Sequence, residues 1–524
     1  MSHIKTKVAI CIAQVCVPLA VAAQDITLSS QDGSISMSGD LLNYDGHFYR
    51  IDTEFGPLTI DGAHVTCEGP ACPNIFEFTP NIQISTHDPL IARVLHSSIL
   101  AFGHSLGAKI EIENGQNGTP SHYAVINTHA DRIEARFTLK QQPMAKTVSE
   151  LLTYDIDLAY AFEPLTDIDI DTLKAADLGD FARAPWRSSI AQDAWVAVGS
   201  TDTAHKNITL DHLETLIQTN PSTSPDALAL TLFSPQAEGE PENSPEDGAK
   251  PQMSQIIGRY TDIGDLQTAL AQDPFAIGMV RLSDAQTTEL MALAIHGSCG
   301  RGYQITREAI KGDLYPHTLP LIAYRPARSL PSIATAFTDF LRSPDGHQIL
   351  RSHGLVDPSF ETVSLSQQGD RLVNTLSALS AQQTHSARDM VAYLSDKRRL
   401  SSALRFAQGQ TQLTQQSKDQ LTHIIRLIQS GSLDGQHLHF LGFSDATGDY
   451  ETNVELSKKR ADTAMSAVLA ELALADIEKV NMSAAGFGPL MPILCDDTEA
   501  EQNVNRRVEI WIAPASINTP PSEN

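Results

Sequence analysis

The sequence predicts a multidomain protein of mixed α/β and α+β class, and three patterns along its 524 residues support this prediction. Short alternating strand patterns fill residues 26–73. Strand and helix patterns then alternate over 81–358, and a compact strand–helix–strand–helix–strand pattern occupies 404–513. At about 100–200 residues per domain, this length suits three or four domains with cores of their own.

Residues 1–23 have the features of a secretory signal peptide. Lys5 and Lys7 precede an uncharged apolar run that ends in small residues, so we expect cleavage near Ala22 or Ala23. The run is shorter than the ~20 apolar residues of a spanning helix, and no later segment is long and apolar enough to cross a membrane. We therefore expect a mature protein outside the cytoplasm with no transmembrane segment.

Charge and cysteine content agree with that compartment. The formal net charge of −26 makes nucleic acid or an anionic bilayer an unsuitable partner. Of the four cysteines that remain after cleavage, Cys67 and Cys72 flank a Gly-Pro turn, which predicts a local disulfide. The sequence leaves open whether Cys299 and Cys495 bridge domains or stay free.

The first predicted domain, residues 24–78, is a small β module stapled by that disulfide. Its strand patterns are separated by turn signals such as Asn43-Tyr44-Asp45-Gly46 and Asp61-Gly62. No function can be predicted for it from the sequence.

The middle region, residues 79–362, is predicted to be an α/β domain with mainly parallel sheets. A strand at 82–84 leads to Asp88-Pro89, an N-cap followed by proline at the first helical position. Because a helix N-terminus favours anions, Ser85, Thr86 and His87 are candidate anion ligands. The alternative is a polar loop with an ordinary helix cap.

The order of motifs in this region is similar to that of periplasmic phosphate-binding proteins of the PstS-like type. The motifs are Ala191-Gln192-Asp193-Ala194-Trp195-Val196-Ala197-Val198, Ile208-Thr209-Leu210-Asp211-His212-Leu213, Ala276-Ile277-Gly278-Met279-Val280 and Phe340-Leu341-Arg342-Ser343-Pro344-Asp345-Gly346-His347-Gln348-Ile349-Leu350. The resemblance implies two α/β lobes that close on an anion held by backbone N–H groups and hydroxyls.

One segment departs from the PstS-like pattern. Residues 234–248 are acidic and rich in proline, where that family places a second phosphate-gripping loop, and carboxylates there would repel phosphate. Three interpretations therefore stay open for the middle domain: an anion receptor, a domain with an altered ligand, and a spacer or docking module.

Residues 363–400 have helical spacing and are predicted to be a helical linker, whereas the Pro-rich residues 515–524 are expected to be disordered. Between them, residues 401–514 form the βαβαβ domain. Apolar residues recur at helical spacing from Gln415 to Ile428 and again from Ala461 to Leu472.

This last domain resembles the OmpA-like peptidoglycan-binding family. The matching residues are Gly442-Phe443-Ser444-Asp445 with Thr447-Gly448, Asn453 with Leu456-Ser457 and Arg460-Ala461, Gly486-Phe487-Gly488, and Asn505-Arg506-Arg507-Val508-Glu509. The resemblance implies that Asp445 and Arg460 grip the diaminopimelate side-chain terminus of the stem peptide.

The chemistry of these two residues suits a zwitterion. A carboxylate accepts charge-assisted hydrogen bonds from an ammonium, and a guanidinium offers a planar fork to a carboxylate. Thr447, Asn453 and Leu456 are expected to orient the ligand at the helix start. Arg507 has two open roles, in binding or in supporting the fold. The alternative for Asp445 and Arg460 is a surface salt bridge, worth only ~0–1 kcal/mol.

Neither an enzyme nor a cofactor is predicted. His296-Gly297-Ser298-Cys299-Gly300 places three reactive groups together in sequence, but catalytic triads are assembled in space. No metal site is predicted either: His437 and His439 share a strand face, and we interpret them as half-exposed strand residues.

The sequence thus predicts a periplasmic protein that binds peptidoglycan noncovalently, in association with the outer membrane of a Gram-negative bacterium. Its middle domain is then held at the wall to meet a small anion or an envelope protein. The alternative is an anion receptor, phosphate-like in ligand, for which the C-terminal domain is only a tether.

Overall fold

The computed structural model describes residues 25–44, 46, 48–74, 78–114, 120–219, 230–234, 255–260, 262–312, 314–328, 330–378, 383–406 and 412–514. The predicted signal peptide, the C-terminal tail and nearly all of the acidic segment lie outside these ranges. Among the described residues, no helix combines the length and the apolarity that a membrane crossing requires.

The N-terminal module is one antiparallel sheet of five strands in the order β4-β3-β2-β1-β5. The strands are β1 (Asp25–Ser30), β2 (Ser36–Tyr44), β3 (Phe48–Thr53), β4 (Gly56–Asp61) and β5 (Val65–Glu68). Its buried apolar core is small, with Ile26, Leu28, Tyr49 and Ile51 at its centre. The predicted Cys67–Cys72 disulfide is confirmed and compensates for that small core.

The middle domain alternates strands and helices from residue 81 to residue 352. Its strands are β6 (Asn81–Thr86), β7 (Lys109–Asn114), β8 (Pro120–Asn127), β9 (Arg132–Gln141), β10 (Leu158–Ala161), β11 (Arg187–Gly199), β12 (Asn207–Ile208), β13 (Leu230–Ser234), β14 (Gln255–Tyr260), β15 (Ile277–Arg281), β16 (Met291–Ala292), β17 (Ala294–His296), β18 (Gly302–Tyr303) and β19 (Thr318–Tyr324). Its helices are α1 (Pro89–Ser105), α2 (Met144–Leu152), α3 (Asp167–Ala175), α4 (Leu210–Thr219), α5 (Ile263–Gln272), α6 (Leu282–Ala285), α7 (Arg307–Lys311), α8 (Ser332–Leu341) and α9 (Pro344–Ser352).

Most of these strands follow one path, in the order β14-β13-β15-β11-β19-β10-β6-β9-β8-β7. The α/β class is confirmed, but the expectation of mainly parallel pairing is wrong. Strand β6 is parallel to β9 and β10, and β12 is parallel to β17, whereas the other pairs are antiparallel. The reason is that β7, β8 and β9 follow one another as hairpins and that β11 runs antiparallel to both β15 and β19.

The middle domain contains three apolar cores, and the two largest lie along different parts of strand β11. Strand β11 serves both, because Ile190 near its start packs with α1 and α8 while Val196 further along packs with α4 and α5. Helix α1 begins as its sequence predicts: the Asp88 side chain accepts hydrogen bonds from the N–H groups of Leu90 and Ile91, at 2.7 and 3.3 Å. The domain therefore has two lobes that share long strands.

The C-terminal domain is a five-stranded sheet in the order β20-β21-β24-β22-β23. The strands are β20 (Thr362–Ser364), β21 (Arg398–Leu404), β22 (Gln436–Phe443), β23 (Asn481–Gly486) and β24 (Arg507–Pro514). The helices are α10 (Gly369–Ala378), α11 (Thr384–Leu394), α12 (Gln415–Gln429), α13 (Tyr450–Glu471), α14 (Leu474–Ile477) and α15 (Glu499–Asn505). The predicted βαβαβ succession is present as β21-α12-β22-α13-β23.

Each face of this sheet has its own core. Helices α12 and α13 pack on one face around Ile424, Phe440 and Ala464. On the other face, Met390 and Leu394 of α11 pack against Trp511. The segment expected as a helical linker therefore contributes β20, α10 and α11 to the C-terminal domain itself.

The middle and C-terminal domains are joined by covalent and polar contacts. A disulfide links Cys299 to Cys495, whose sequence separation is 196 residues. Elsewhere, Arg187 Nη1 lies 2.5 Å from Asp419 Oδ2, and both side chains are mostly buried. These contacts fix the C-terminal domain against the middle domain at two separate places.

Candidate functional site

The candidate site lies where β22 ends and α13 begins. Helix α13 passes unusually close to the strand ends, because a Cβ on Gly442 would lie 1.9 Å from the backbone oxygen of Ser457. Gly486 on β23 meets the same helix, and a Cβ there would lie 2.5 Å from the oxygen of Val454. These two glycines allow the first turns of α13 to sit directly over the sheet.

Asp445 follows β22 and is held in place by two donors. Its Oδ1 accepts a hydrogen bond from the N–H of Thr447 at 2.9 Å, and its Oδ2 accepts one from Nε of Arg506 at 2.6 Å. Burial raises the pKa of Asp445, but these hydrogen bonds outweigh the burial and hold the pKa below its ordinary value. Asp445 is therefore ionised at neutral pH, and its oxygens keep lone pairs for a further donor.

Arg460 projects from α13 beside this carboxylate. The residue is 6% exposed, and its Nε and Nη1 atoms are buried without a hydrogen-bond partner among the described residues. Burial lowers the pKa of Arg460, as does the positive charge of Arg506, while Asp445 acts in the opposite direction. A buried guanidinium with unsatisfied N–H groups costs on the order of 1–3 kcal/mol or more, so an anionic ligand would relieve a real deficit.

We call the pair of Asp445 and Arg460 the clamp, and the three other residues predicted around it surround the same loop. Asn453 is buried, and its Nδ2 donates a hydrogen bond to the backbone oxygen of Thr447 at 2.9 Å, which fixes the loop that carries Asp445. Leu456 is 38% exposed and lies one helical turn before Arg460. The structure therefore brings the predicted residues Asp445, Thr447, Asn453, Leu456 and Arg460 into one region of the domain.

Arg507 lies on the opposite side of the chain from its neighbour Arg506. It is fully buried, and its guanidinium binds Glu509, at 2.7 Å from Nε to Oε1, and the backbone oxygen of Met491 at 2.8 Å. It also stacks over Phe443, 4.4 Å from the ring centroid. Of the two roles that the sequence left open, these contacts correspond to the structural one.

Two residues near the site were not singled out from the sequence. Arg506 pairs with Asp445, and Asp496 accepts a hydrogen bond from the N–H of Ala446 at 3.1 Å. Burial raises the pKa of Asp496 to about 6. Arg506 stands within the quoted Asn505-Arg506-Arg507 motif, and the alternation of side chains along β24 is the signal that could have separated it from Arg507.

The candidate anion ligands of the middle domain are differently placed. Ser85 and Thr86 are fully buried, and the Ser85 hydroxyl lies 2.6 Å from that of Thr147. The N-terminus of α1 is already occupied by the Asp88 carboxylate, whose Oδ2 lies 2.7 Å from Nη1 of Arg281 in the other lobe. The Asp88 carboxylate therefore occupies the helix N-terminus at which the sequence predicted that Ser85, Thr86 and His87 would bind an anion.

The remaining reactive groups are engaged in structural contacts. Cys299 is in the disulfide with Cys495, so the loop from His296 to Gly300 carries no free thiol. The rings of His437 and His439 stack at 4.0 Å, and the Ser483 hydroxyl lies 3.0 and 2.9 Å from their nitrogens. Of the described residues, the group whose spacing would suit a metal is Cys495, Asp497 and Glu501, and the disulfide removes its thiolate.

Comparison with known families identifies the C-terminal domain. Residues 405–506 match the model of the OmpA family, so this part of the chain is an OmpA family domain. Among curated proteins, the "Probable lipoprotein YiaD" of Escherichia coli (strain K12) is 32% identical over 77 residues. That alignment covers 15% of this chain and 33% of YiaD, so the chain spans about a third of that relative's length.

Solved structures resemble both large domains. PstS from Borrelia burgdorferi is 15% identical with a TM-score of 0.34, and the match covers 53% of this chain and 98% of that one. The peptidoglycan-associated lipoprotein from Burkholderia pseudomallei is 23% identical with a TM-score of 0.18. That match covers 21% of this chain and 88% of the lipoprotein.

Proposed function

We propose that this protein binds peptidoglycan noncovalently in the cell envelope of a Gram-negative bacterium, on the periplasmic side. The OmpA family domain supports this function, because its match over residues 405–506 includes both Asp445 and Arg460. The peptidoglycan-associated lipoprotein among its structural relatives is in keeping with it. The ligand is the diaminopimelate side-chain terminus of the stem peptide, which presents an ammonium and a carboxylate together.

The observation that carries the proposal is the unpartnered guanidinium of Arg460. Its buried Nε and Nη1 need an acceptor that the described residues do not supply. A ligand carboxylate can accept two parallel hydrogen bonds from one planar edge of this guanidinium, formed by Nη2 together with either Nε or Nη1, and the neighbouring Asp445 accepts hydrogen bonds from the ligand ammonium. Thr447 and Asn453 act on the clamp indirectly, because they hold the loop on which Asp445 stands.

Binding at the C-terminal domain also places the middle domain at the wall. The disulfide to Cys299 and the Arg187–Asp419 pair hold the two domains together, so the middle domain is carried with the anchor. An outer-membrane association and a solute or envelope-protein partner for the middle domain belong to the same proposal.

Sedimentation with purified diaminopimelate-type peptidoglycan tests the proposal. Arg460→Ala removes the fork, and we expect its apparent Kd to rise at least tenfold, the equivalent of about 1.4 kcal/mol. Lys459→Ala is the matched control because Lys459 is exposed on the same helix and loses the same charge. Equal sedimentation of the Arg460 variant and the Lys459 variant would refute the clamp.

A further inference from the structure

One loop of the middle domain, residues 297–301, sits directly on the C-terminal domain near the clamp. Besides the Cys299–Cys495 disulfide, the N–H of Cys299 lies 3.0 Å from the Cys495 sulfur, and the Ser298 hydroxyl donates to Asp497. A Cβ on Gly297 would lie 2.5 Å from both the Cys495 sulfur and Oε1 of Glu501. Any larger residue at this position would therefore require the disulfide or the Glu501 side chain to shift.

The residue next to Cys495 reaches the clamp. Asp496 Oδ2 accepts the hydrogen bond from the N–H of Ala446, the immediate neighbour of Asp445. Its Oδ1 accepts a second one from Nδ2 of Asn505 at 2.8 Å, so the carboxylate is fixed at both oxygens. A short and rigid path thus connects the disulfide to the residue that is expected to bind the ligand ammonium.

Arg301 ends the same loop. The N–H of Gly297 donates to the backbone oxygen of Arg301 at 2.8 Å, which closes the loop and fixes the backbone from which this side chain projects. Arg301 is partly buried, and its guanidinium makes no hydrogen bond or ion pair with the residues that the structure describes. Its positive charge acts on Asp496, where it opposes the rise in pKa that burial causes.

We propose that this disulfide-held loop is part of the stem-peptide site and that Arg301 binds a second carboxylate of the same peptide, its C-terminal one. This inference rests on the proposed function. Arg460 serves the carboxylate of the zwitterion, and a peptide that ends beside the clamp brings its own terminal carboxylate as a second anion. Arg301 lies on the loop that contacts the C-terminal domain beside Asp496, its guanidinium has no hydrogen bond or ion pair among the described residues, and the disulfide holds that loop in position.

Two synthetic ligands separate the parts of this proposal. One is the tripeptide L-Ala-γ-D-Glu-meso-diaminopimelate with a free C-terminal carboxylate, and the other is the same peptide with a C-terminal amide. Titration of the full mature protein with the free acid should show an affinity about tenfold lower for Arg301→Ala than for wild type. The amidated peptide should bind both proteins within about twofold, because only its C-terminal carboxylate is missing and the α-carboxylate of γ-D-Glu is present in both peptides.

Arg307→Ala is the matched control, since Arg307 is exposed six residues further on and loses the same charge. The double variant Cys299→Ser with Cys495→Ser should lose as much affinity for the free acid as Arg301→Ala does. Adding Arg301→Ala to it should cause no further loss, because the disulfide acts by holding that residue in place. Full affinity in the double variant would overturn the positioning role of the disulfide.

The outcomes distinguish this inference from the proposed function. If Arg301→Ala binds both peptides as well as Arg307→Ala does, while Arg460→Ala binds both at least tenfold more weakly than wild type, the clamp stands and the role of Arg301 is refuted. If Arg460→Ala binds the two peptides like wild type, the proposed function itself fails. An equal loss for both peptides in Arg301→Ala would also overturn the second-carboxylate contact.

Discussion

The substitution Glu509→Gln should destabilise the C-terminal domain strongly. Glu509 has no exposed surface, and its carboxylate contacts Arg371, Arg507 at 2.7 Å and the indole N–H of Trp511 at 3.0 Å, with Arg399 buried nearby. Glutamine keeps the shape but leaves three arginines around a neutral group. Removing one partner of a buried ion pair costs ~3–5 kcal/mol, which lowers the Tm of a domain of this size by roughly 10 °C.

Tryptophan fluorescence of the full mature protein during thermal unfolding measures this effect, because Trp511 lies in the same cluster. Glu455→Gln is the control: Glu455 is exposed on α13, and its loss of charge should change the Tm by no more than about 1 °C. If Glu509→Gln unfolds within about 1 °C of wild type, the buried carboxylate is not what holds the arginines together.

The pH dependence of the Tm difference between wild type and Glu509→Gln gives a second check. Burial raises the pKa of Glu509, but the positive charges of Arg371, Arg507 and Arg399 outweigh it and hold the pKa well below its ordinary value. A carboxylate with a lowered pKa stabilises the folded state above the unfolded pKa of about 4.3, and this stability is lost as pH falls through the folded pKa. The Tm difference between wild type and Glu509→Gln should therefore be constant above about pH 5 and shrink below about pH 4.

Three further predictions follow from other contacts. Phosphate at about 10 mM should not raise the Tm beyond a chloride control, because Asp88 already occupies the N-terminus of α1; a clear rise would restore the receptor interpretation. Asp419→Asn should destabilise the protein by roughly 3 kcal/mol, measured by urea unfolding, because it leaves Arg187 buried without its carboxylate; an unchanged midpoint would contradict this. Burial lowers the pKa of His423 to about 4, so its neutral form stabilises the fold above about pH 6.5 and this stability is lost as pH falls toward 4. His423→Gln should therefore flatten the Tm profile between these pH values, and an unchanged slope would refute the assignment.

The C-terminal domain is the part of the fold that the sequence predicted best. Its helices α12 and α13 have apolar residues at regular helical spacing, and its site residues fall in one short stretch around Asp445 and Arg460. Patterns of this kind can be recognised from the sequence alone, because they depend on residues that are close together in the chain. The partnership of Asp445 with Arg506 was missed because two adjacent arginines look equivalent until the register of β24 is known.

Features that depend on distant pairing were predicted poorly. Periodicity identifies strands but not the direction of their neighbours, which is why the antiparallel course of β11 was missed. The Cys299–Cys495 disulfide spans 196 residues, and no local signal could choose between a bridge and two free thiols. The sequence also did not predict that residues 363–400 belong to the C-terminal domain. An amphipathic pattern indicates that a helix buries one face, but it does not indicate which domain the helix packs against.

The zwitterion clamp is tested most directly by comparing two ligands that differ only in the side-chain carboxylate. Calorimetric titration of the mature protein with L-Ala-γ-D-Glu-meso-diaminopimelate and with the lysine analogue measures what Arg460 recognises. Wild type should prefer the diaminopimelate peptide at least tenfold, because the lysine analogue leaves the buried guanidinium without an acceptor. Arg460→Ala should lose this preference. Equal affinity of wild type for both peptides, or an undiminished preference in the variant, would contradict the clamp.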